Sequence, residues 1–252
     1  MNMNKLRTNN NLLIFIATGT FILINFFSKS QTNSAGGIFV LGGIHQAHEK
    51  AKFYTYKRMG ELYKELKPDI LLVETQQKYV TDNSFTGTPY DFNKFMIPMA
   101  LTDKTPIFGI DWWDDVKGKR WEDLQQILYK DSTLTDEINL FGNMFQILDE
   151  YFINKDFKEI NSIYITNLWK AKSEFKYHIM LQNPAYKFIA EYEQERNDHI
   201  VADILEIVKT NPGKKILIAI GIDHKYFIEN KLQENNIKVY QVDEIEQFKK
   251  QE

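Results

Sequence analysis

Four short runs with almost no polar residue decide which architectures are open to this chain: Ile38-Phe-Val-Leu41, Ile70-Leu-Leu-Val73, Ile107-Phe-Gly-Ile110 and Ile216-Leu-Ile-Ala-Ile220. A strand with one wet face alternates polar and apolar residues, and these runs have no wet face. Strands buried on both sides and separated by helix-length segments form a parallel sheet with helices on each face. The β-helix-β connections are then right-handed crossovers. The stretch from Ile237 to Val242 closes the pattern as a fifth strand. The expected fold class is therefore α/β: a mainly parallel sheet flanked by helices, with a helical insertion before the last two strands.

Between the strands the spacing turns helical. Phe53, Tyr56, Met59, Leu62, Tyr63 and Leu66 share one face of a helix expected over 47–66, which Pro68-Asp69 stops. From about 119 to 209 apolar residues recur at three and four with no strand-like run, giving helices over 121–130, 134–153, 156–181 and 185–209. These helices would cap the sheet as a lid or form a helical subdomain. No repeat, low-complexity tract or linker divides the chain. With 43% apolar residues, a single α/β domain from 37 to 252 is the expected organisation.

Residues 1–36 stand apart. Lys5 and Arg7 precede an uncharged apolar run from Leu12 to Phe27, and Ser28 and Ser30 supply the small residues a signal peptidase reads. That is the layout of an export signal cleaved after Ser30, or of an uncleaved membrane anchor with its basic flank inside. A buried core helix is the bland alternative, which the terminal position and basic flank disfavour. The domain is expected to be exported, periplasmic or otherwise extracytoplasmic, touching a membrane only through this segment.

Composition removes several function classes. A net charge of −3 with no basic stripe excludes a nucleic-acid footprint. The absence of cysteine excludes thiolate nucleophiles, disulfides and cysteine-ligated metals. No G-x-S-x-G elbow is present either, so a serine acyl-enzyme of that type is not expected.

In open parallel sheets, ligands bind beyond the carboxyl ends of the strands. There the chain places Gly42-Gly-Ile-His45, Glu74, Asp111 and Gly221-Ile-Asp-His224. One charged residue after a strand is commonplace; two imidazoles and two carboxylates at one edge form a candidate site. The glycines would let the backbone turn sharply and carry the histidines over the sheet edge. His48 and Glu49 lie just after His45, either as site residues or as a solvated helix start. Arg196 and Asn197, in Glu195-Arg-Asn-Asp-His199, would orient anionic oxygens, unless Arg196 merely pairs with Glu193 or Asp198. Trp112 and Trp113 either wall a pocket or belong to the core, and His178 and His199 read as surface residues.

This order of motifs resembles the erythromycin esterase/TraB–GumN–Tiki superfamily: Gly42-Gly-Ile-His45, a helix, Pro68-Asp-Ile-Leu-Leu-Val-Glu74, a helical middle, Glu195-Arg-Asn197, then Ile-Gly-Ile-Asp-His224. His45-Gln-Ala-His-Glu49 is similar to the start of the esterase branch. At the second motif Gly221 stands where that branch carries another His, and the chain looks more like the TraB–Tiki branch. The resemblance spans about Ile38 to Val242. It implies an α/β fold with a helical insertion and a site of His45, Glu74, Arg196 and His224, in a group containing ester hydrolases and metal-dependent peptidases.

The leading expectation is a hydrolase acting on a small-molecule or peptide substrate, with Glu49, Asp111 and Asn197 contacting it. In a metal version, His45, Glu74 and His224 hold one divalent ion (Mn²⁺, Co²⁺ or Zn²⁺) that activates water, and Arg196 steadies the oxyanion. In a metal-free version, His45 is the general base, Glu74 sets its tautomer, and His224 and Arg196 bind the carbonyl. The alternatives are a non-catalytic envelope protein that binds a ligand in the same pocket, and a purely structural domain.

Overall fold

A computed structural model describes residues 36–245. The N-terminal segment read as an export signal or anchor lies outside the described residues. Among those described, no helix is long and apolar enough to cross a membrane.

The strands are β1 (Ile38–Gly43), β2 (Ile70–Val73), β3 (Ile107–Gly109), β4 (Ile216–Gly221) and β5 (Val239–Tyr240). They form one sheet in the order β3-β2-β4-β1-β5, with every pairing parallel. The fifth strand keeps only two of the six residues expected, because β1 pairs with it at Ile38 and Phe39 alone. Beyond that point the outer edge of β1 needs other partners, since buried backbone groups must be hydrogen-bonded. Asn161 Oδ1 accepts from Gly42 N at 2.6 Å, and Tyr54 Oη donates to Gly42 O at 2.9 Å.

The ten helices are α1 (Tyr56–Leu66), α2 (Gln77–Thr81), α3 (Tyr90–Phe95), α4 (Ile97–Asp103), α5 (Asp115–Leu128), α6 (Thr135–Ile153), α7 (Phe157–Ile160), α8 (Ile163–Gln182), α9 (Lys187–Thr210) and α10 (Ile222–Glu234) among the described residues. The strands' lack of a wet face has its cause in two separate cores. Phe39, Leu41, Leu71, Val73 and Leu217 point to one side and pack with Met59, Leu62 and Leu66 of α1. Val40, Leu72, Ile216 and Ile218 point to the other and pack with Ile200 and Ile204 of α9 and Leu232 of α10. Successive residues of one strand thus serve opposite cores.

Two helix boundaries differ from expectation. The helix expected from 47 begins only at Tyr56, where Thr55 caps it by accepting from Arg58 N. A 3₁₀ turn over His45–Glu49 and a bend precede it, so the periodicity is out of phase there and Phe53 is 59% exposed. The helix expected over 156–181 breaks at Asn161-Ser162, where Ser162 caps α8 and Asn161 turns inward to β1. Three short helices, α2 to α4, occupy a stretch between β2 and β3 for which the sequence reading proposed no element. Between β3 and β4 lie α5 to α9, of which α5, α6, α8 and α9 share a small core of their own around Leu128, Met180 and Ile189, while α7 packs into the core of α1.

Candidate active site

Strand register sets the geometry of the sheet edge. Gly43 of β1 lies level with Gly221 of β4, and Val73 of β2 pairs with Ala219. Glu74, the next residue, therefore ends beside the amide of Gly221, where β4 passes directly into α10. Its Oε2 accepts from Gly221 N at 2.7 Å. A Cβ on Gly221 would lie 2.7 Å from His45 Nε2 and 2.9 Å from Asp223 Oδ1, so a bare backbone is what lets the three groups meet here.

His45 itself makes the turn off β1. Its φ of 47° puts it in the left-handed region, which an imidazole-bearing residue adopts at a cost and which recurs at functional sites. The glycines before it serve another purpose: a Cβ on Gly43 would lie 2.5 Å from Asp91 Oδ2. Asp91, from α3, is fully buried, and both its oxygens accept from His45 Nδ1, at 3.2 and 3.3 Å. His45 Nε2 faces Glu74 Oε2 at 3.8 Å. Burial alone would lower the His45 pKa. The Asp91 hydrogen bond and the charges of Glu74, Asp91 and Asp223 outweigh it and raise the pKa to about 9. Burial likewise works against ionised Asp91, but the hydrogen bond and charge of His45 hold its carboxyl well below the usual range.

The other half of the site descends from α9 and α10. Arg196 Nε donates to Asp111 Oδ1 at 2.8 Å and Nη2 to Glu74 Oε1 at 3.2 Å. Burial opposes its charge, yet these two carboxylates raise its pKa further. Its Nη1 lies 3.4 Å from His224 Nε2. His224 Nδ1 meets Asn197 Oδ1 at 2.7 Å, an acceptor, so Nδ1 carries the hydrogen and the neutral ring keeps its lone pair on Nε2. His224 Nε2 is 4.0 Å from Glu74 Oε1. His224, Arg196, Asn197 and Asp223 line a cavity of about 460 Å³ closed on its far side by α5, α6 and α8. Burial raises the Asp223 carboxyl pKa, but His224, Lys172 and His45 prevail and hold it well below the usual range.

His45, Glu74, Asp111, Arg196, Asn197 and His224 thus come together, with roles that differ in part from those expected. Asp91, not Glu74, bonds the His45 ring and sets its tautomer. Asp111 and Asn197 serve Arg196 and His224, so they position other side chains where substrate contact was expected. Glu49 does not join the group. The 3₁₀ turn, at three residues per turn, carries His48 inward and leaves Glu49 exposed. His48 Nδ1 donates to Tyr54 O at 2.5 Å and its Nε2 accepts from Ile44 N at 3.2 Å, bracing the turn. Of the paired tryptophans, Trp112 stacks on the exposed His199 at 4.3 Å, and Trp113 packs edge-on against Trp121.

Sequence reasoning missed Asp91 and Asp223. Asp91 lies in Pro89-Tyr-Asp-Phe92, where no periodicity or strand end marks it. Asp223 sat inside a motif already quoted, and its place between two strand-end histidines was the available signal.

His45, Glu74 and His224 do not fit a metal in this arrangement. Glu74 already spends one oxygen on the Gly221 amide and the other on Arg196, whose guanidinium also reaches His224 and supplies the positive charge there. Among the described residues, no group of three or more His, Cys, Asp or Glu has the geometry to hold a metal ion.

Asp91→Asn should remove the charge that holds the His45 proton. Its midpoint, followed by NMR of ring-labelled histidine, should fall from about 9 by roughly one unit or more. An unchanged midpoint would show that Asp91 does not set the charge of His45.

Comparison with protein-family models, curated proteins and solved structures gives no match to this chain.

Proposed function

We propose that the chain is an exported hydrolase that activates water against an ester or peptide carbonyl, without a bound metal. The observation carrying this reading is the convergence on one buried carboxylate, Glu74, of three groups with complementary chemistry. They are an imidazole that keeps its proton to about pH 9, a guanidinium, and an imidazole whose Nδ1 is held by Asn197 so that Nε2 carries the lone pair.

His224 Nε2 takes a proton from water. Its contact to Arg196 Nη1 is long enough for a water molecule to replace. The oxygen attacks the carbonyl carbon, and the π pair moves to the carbonyl oxygen. Arg196 has five N–H groups, of which Asp111, Glu74 and His224 engage three; the others meet the oxyanion. His45, protonated and with Nδ1 held by Asp91, donates from Nε2 to the leaving group as the tetrahedral intermediate collapses. The motif order shared with the erythromycin esterase/TraB–GumN–Tiki superfamily supports the same class, and the basic-then-apolar N-terminus supports export.

The test is a screen of the full chain against ester and peptide substrates, with chelator or with added Mn²⁺, Co²⁺ or Zn²⁺, alongside elemental analysis. Turnover that survives chelation is expected. Turnover that disappears with chelator and returns with one ion would reinstate the metal version. Saturable binding without turnover would make the chain a binding protein.

A further inference from the structure

Among the charged groups that the proposed hydrolysis does not use, one in the cavity is a buried lysine. Lys172, on α8, is 5% exposed and lines the same cavity as His224 and Arg196. Its ammonium lies 3.6 Å from the ring centre of Trp169, 4.6 Å from Phe145 and 5.4 Å from Phe141. Among the described residues it makes no ion pair and no hydrogen bond, whereas neighbouring Lys176 is paired with Glu193 at 2.5 Å. A buried charge needs a partner, and aromatic faces supply only part of what water would. Burial accordingly lowers its pKa to about 8, partly offset by Asp223. At neutral pH it remains mostly charged, on an aromatic wall beside the candidate catalytic groups.

We propose that Lys172 anchors a carboxylate of the substrate, whose apolar or aromatic body lies against Phe141 and Phe145 and whose scissile bond lies toward His224. Its location rests on the hydrolase reading, but its recognition chemistry needs no turnover. The acid would enter as a small-molecule carboxylate or as the C-terminus of a peptide, and the shared chemistry is the carboxylate itself. Asp223 lines the same cavity, and its negative charge repels a carboxylate placed anywhere but against a cation.

The test is binding to the full chain, read by tryptophan fluorescence and calorimetry, with phenylacetate against neutral phenylacetamide. A second arm sets Gly-Phe against Gly-Phe amide, to tell a free acid from a peptide terminus. Wild type should bind at least one acid roughly tenfold or more tightly than its amide, as expected for a desolvated charge-assisted contact. Lys172→Met should abolish that ratio while keeping the amide affinity, and Lys172→Arg should retain part of it. Equal affinity for acid and amide in the wild type would overturn the proposal, as would an unchanged ratio in Lys172→Met. If Lys172→Met fails to fold, the wild-type and Lys172→Arg ratios decide. Binding that discriminates acids in a protein that hydrolyses nothing would sink the hydrolase reading and leave this one standing.

Discussion

Arg196→Ala is expected to lower stability by about 3–5 kcal/mol, the cost of breaking a buried ion pair by removing one partner. The guanidinium is the only cationic side chain hydrogen-bonded to either Glu74 or Asp111 among the described residues, His45 standing 3.8 Å from Glu74, and both carboxylates are largely shielded. Without it, Glu74 keeps the Gly221 amide and Asp111 the Trp112 amide as donors, but both shielded carboxylates lose their charged hydrogen-bond partner at once. Equilibrium denaturation with urea would measure the difference against wild type. Arg196→Lys should fall between them, because an ammonium keeps the charge but cannot serve Asp111, Glu74 and His224 from one planar fork. A loss below about 1 kcal/mol for Arg196→Ala would place it with exposed ion pairs and contradict the burial argument.

The second large effect concerns the two histidines. His224→Ala should reduce hydrolysis by about 10²–10⁴, the usual contribution of a positioned acid or base. His45→Ala should cost a similar factor, but the pH profile separates the roles. His45 acts as an acid in the proposed mechanism, so its protonated form is the active one. Activity should then fall as pH rises through about 9, and that descending limb should move to lower pH in Asp91→Asn. If His45 were the base, the rate would instead rise through about 9, and the assignment would be reversed. Stability carries the same sign. A pKa raised from 6.5 to about 9 contributes stability that is full below 6.5 and is lost as pH rises through about 9.

Much of the fold was legible because the strands have no polar face. Runs such as Ile70-Leu-Leu-Val73 and Ile216-Leu-Ile-Ala-Ile220 have few places to go except the middle of a covered parallel sheet, and they lie at its centre. The helical boundary at Tyr56 was not legible, since Phe53 fits the period of α1 and only the bend before Thr55 takes it out of phase. The role of Asn161 was hidden for a similar reason. It matters because β5 is too short to satisfy Gly42, and no local pattern reports the length of a neighbouring strand.

The strand-end residues His45, Glu74, Asp111 and His224 were determined by the sequence itself. In a parallel sheet every strand ends on the same side, so connectivity is enough to gather them. Tertiary structure decided what each of them touches. Register put Glu74 on the Gly221 amide, a helix from the unassigned stretch brought Asp91 to the back of His45, and α9 set Arg196 against Glu74 and His224. These are contacts across 147, 46 and 122 residues of chain. Hydrogen bonds act over about 3 Å in space and carry no signature along the sequence, so partnership and charge state emerge only when the chain is folded.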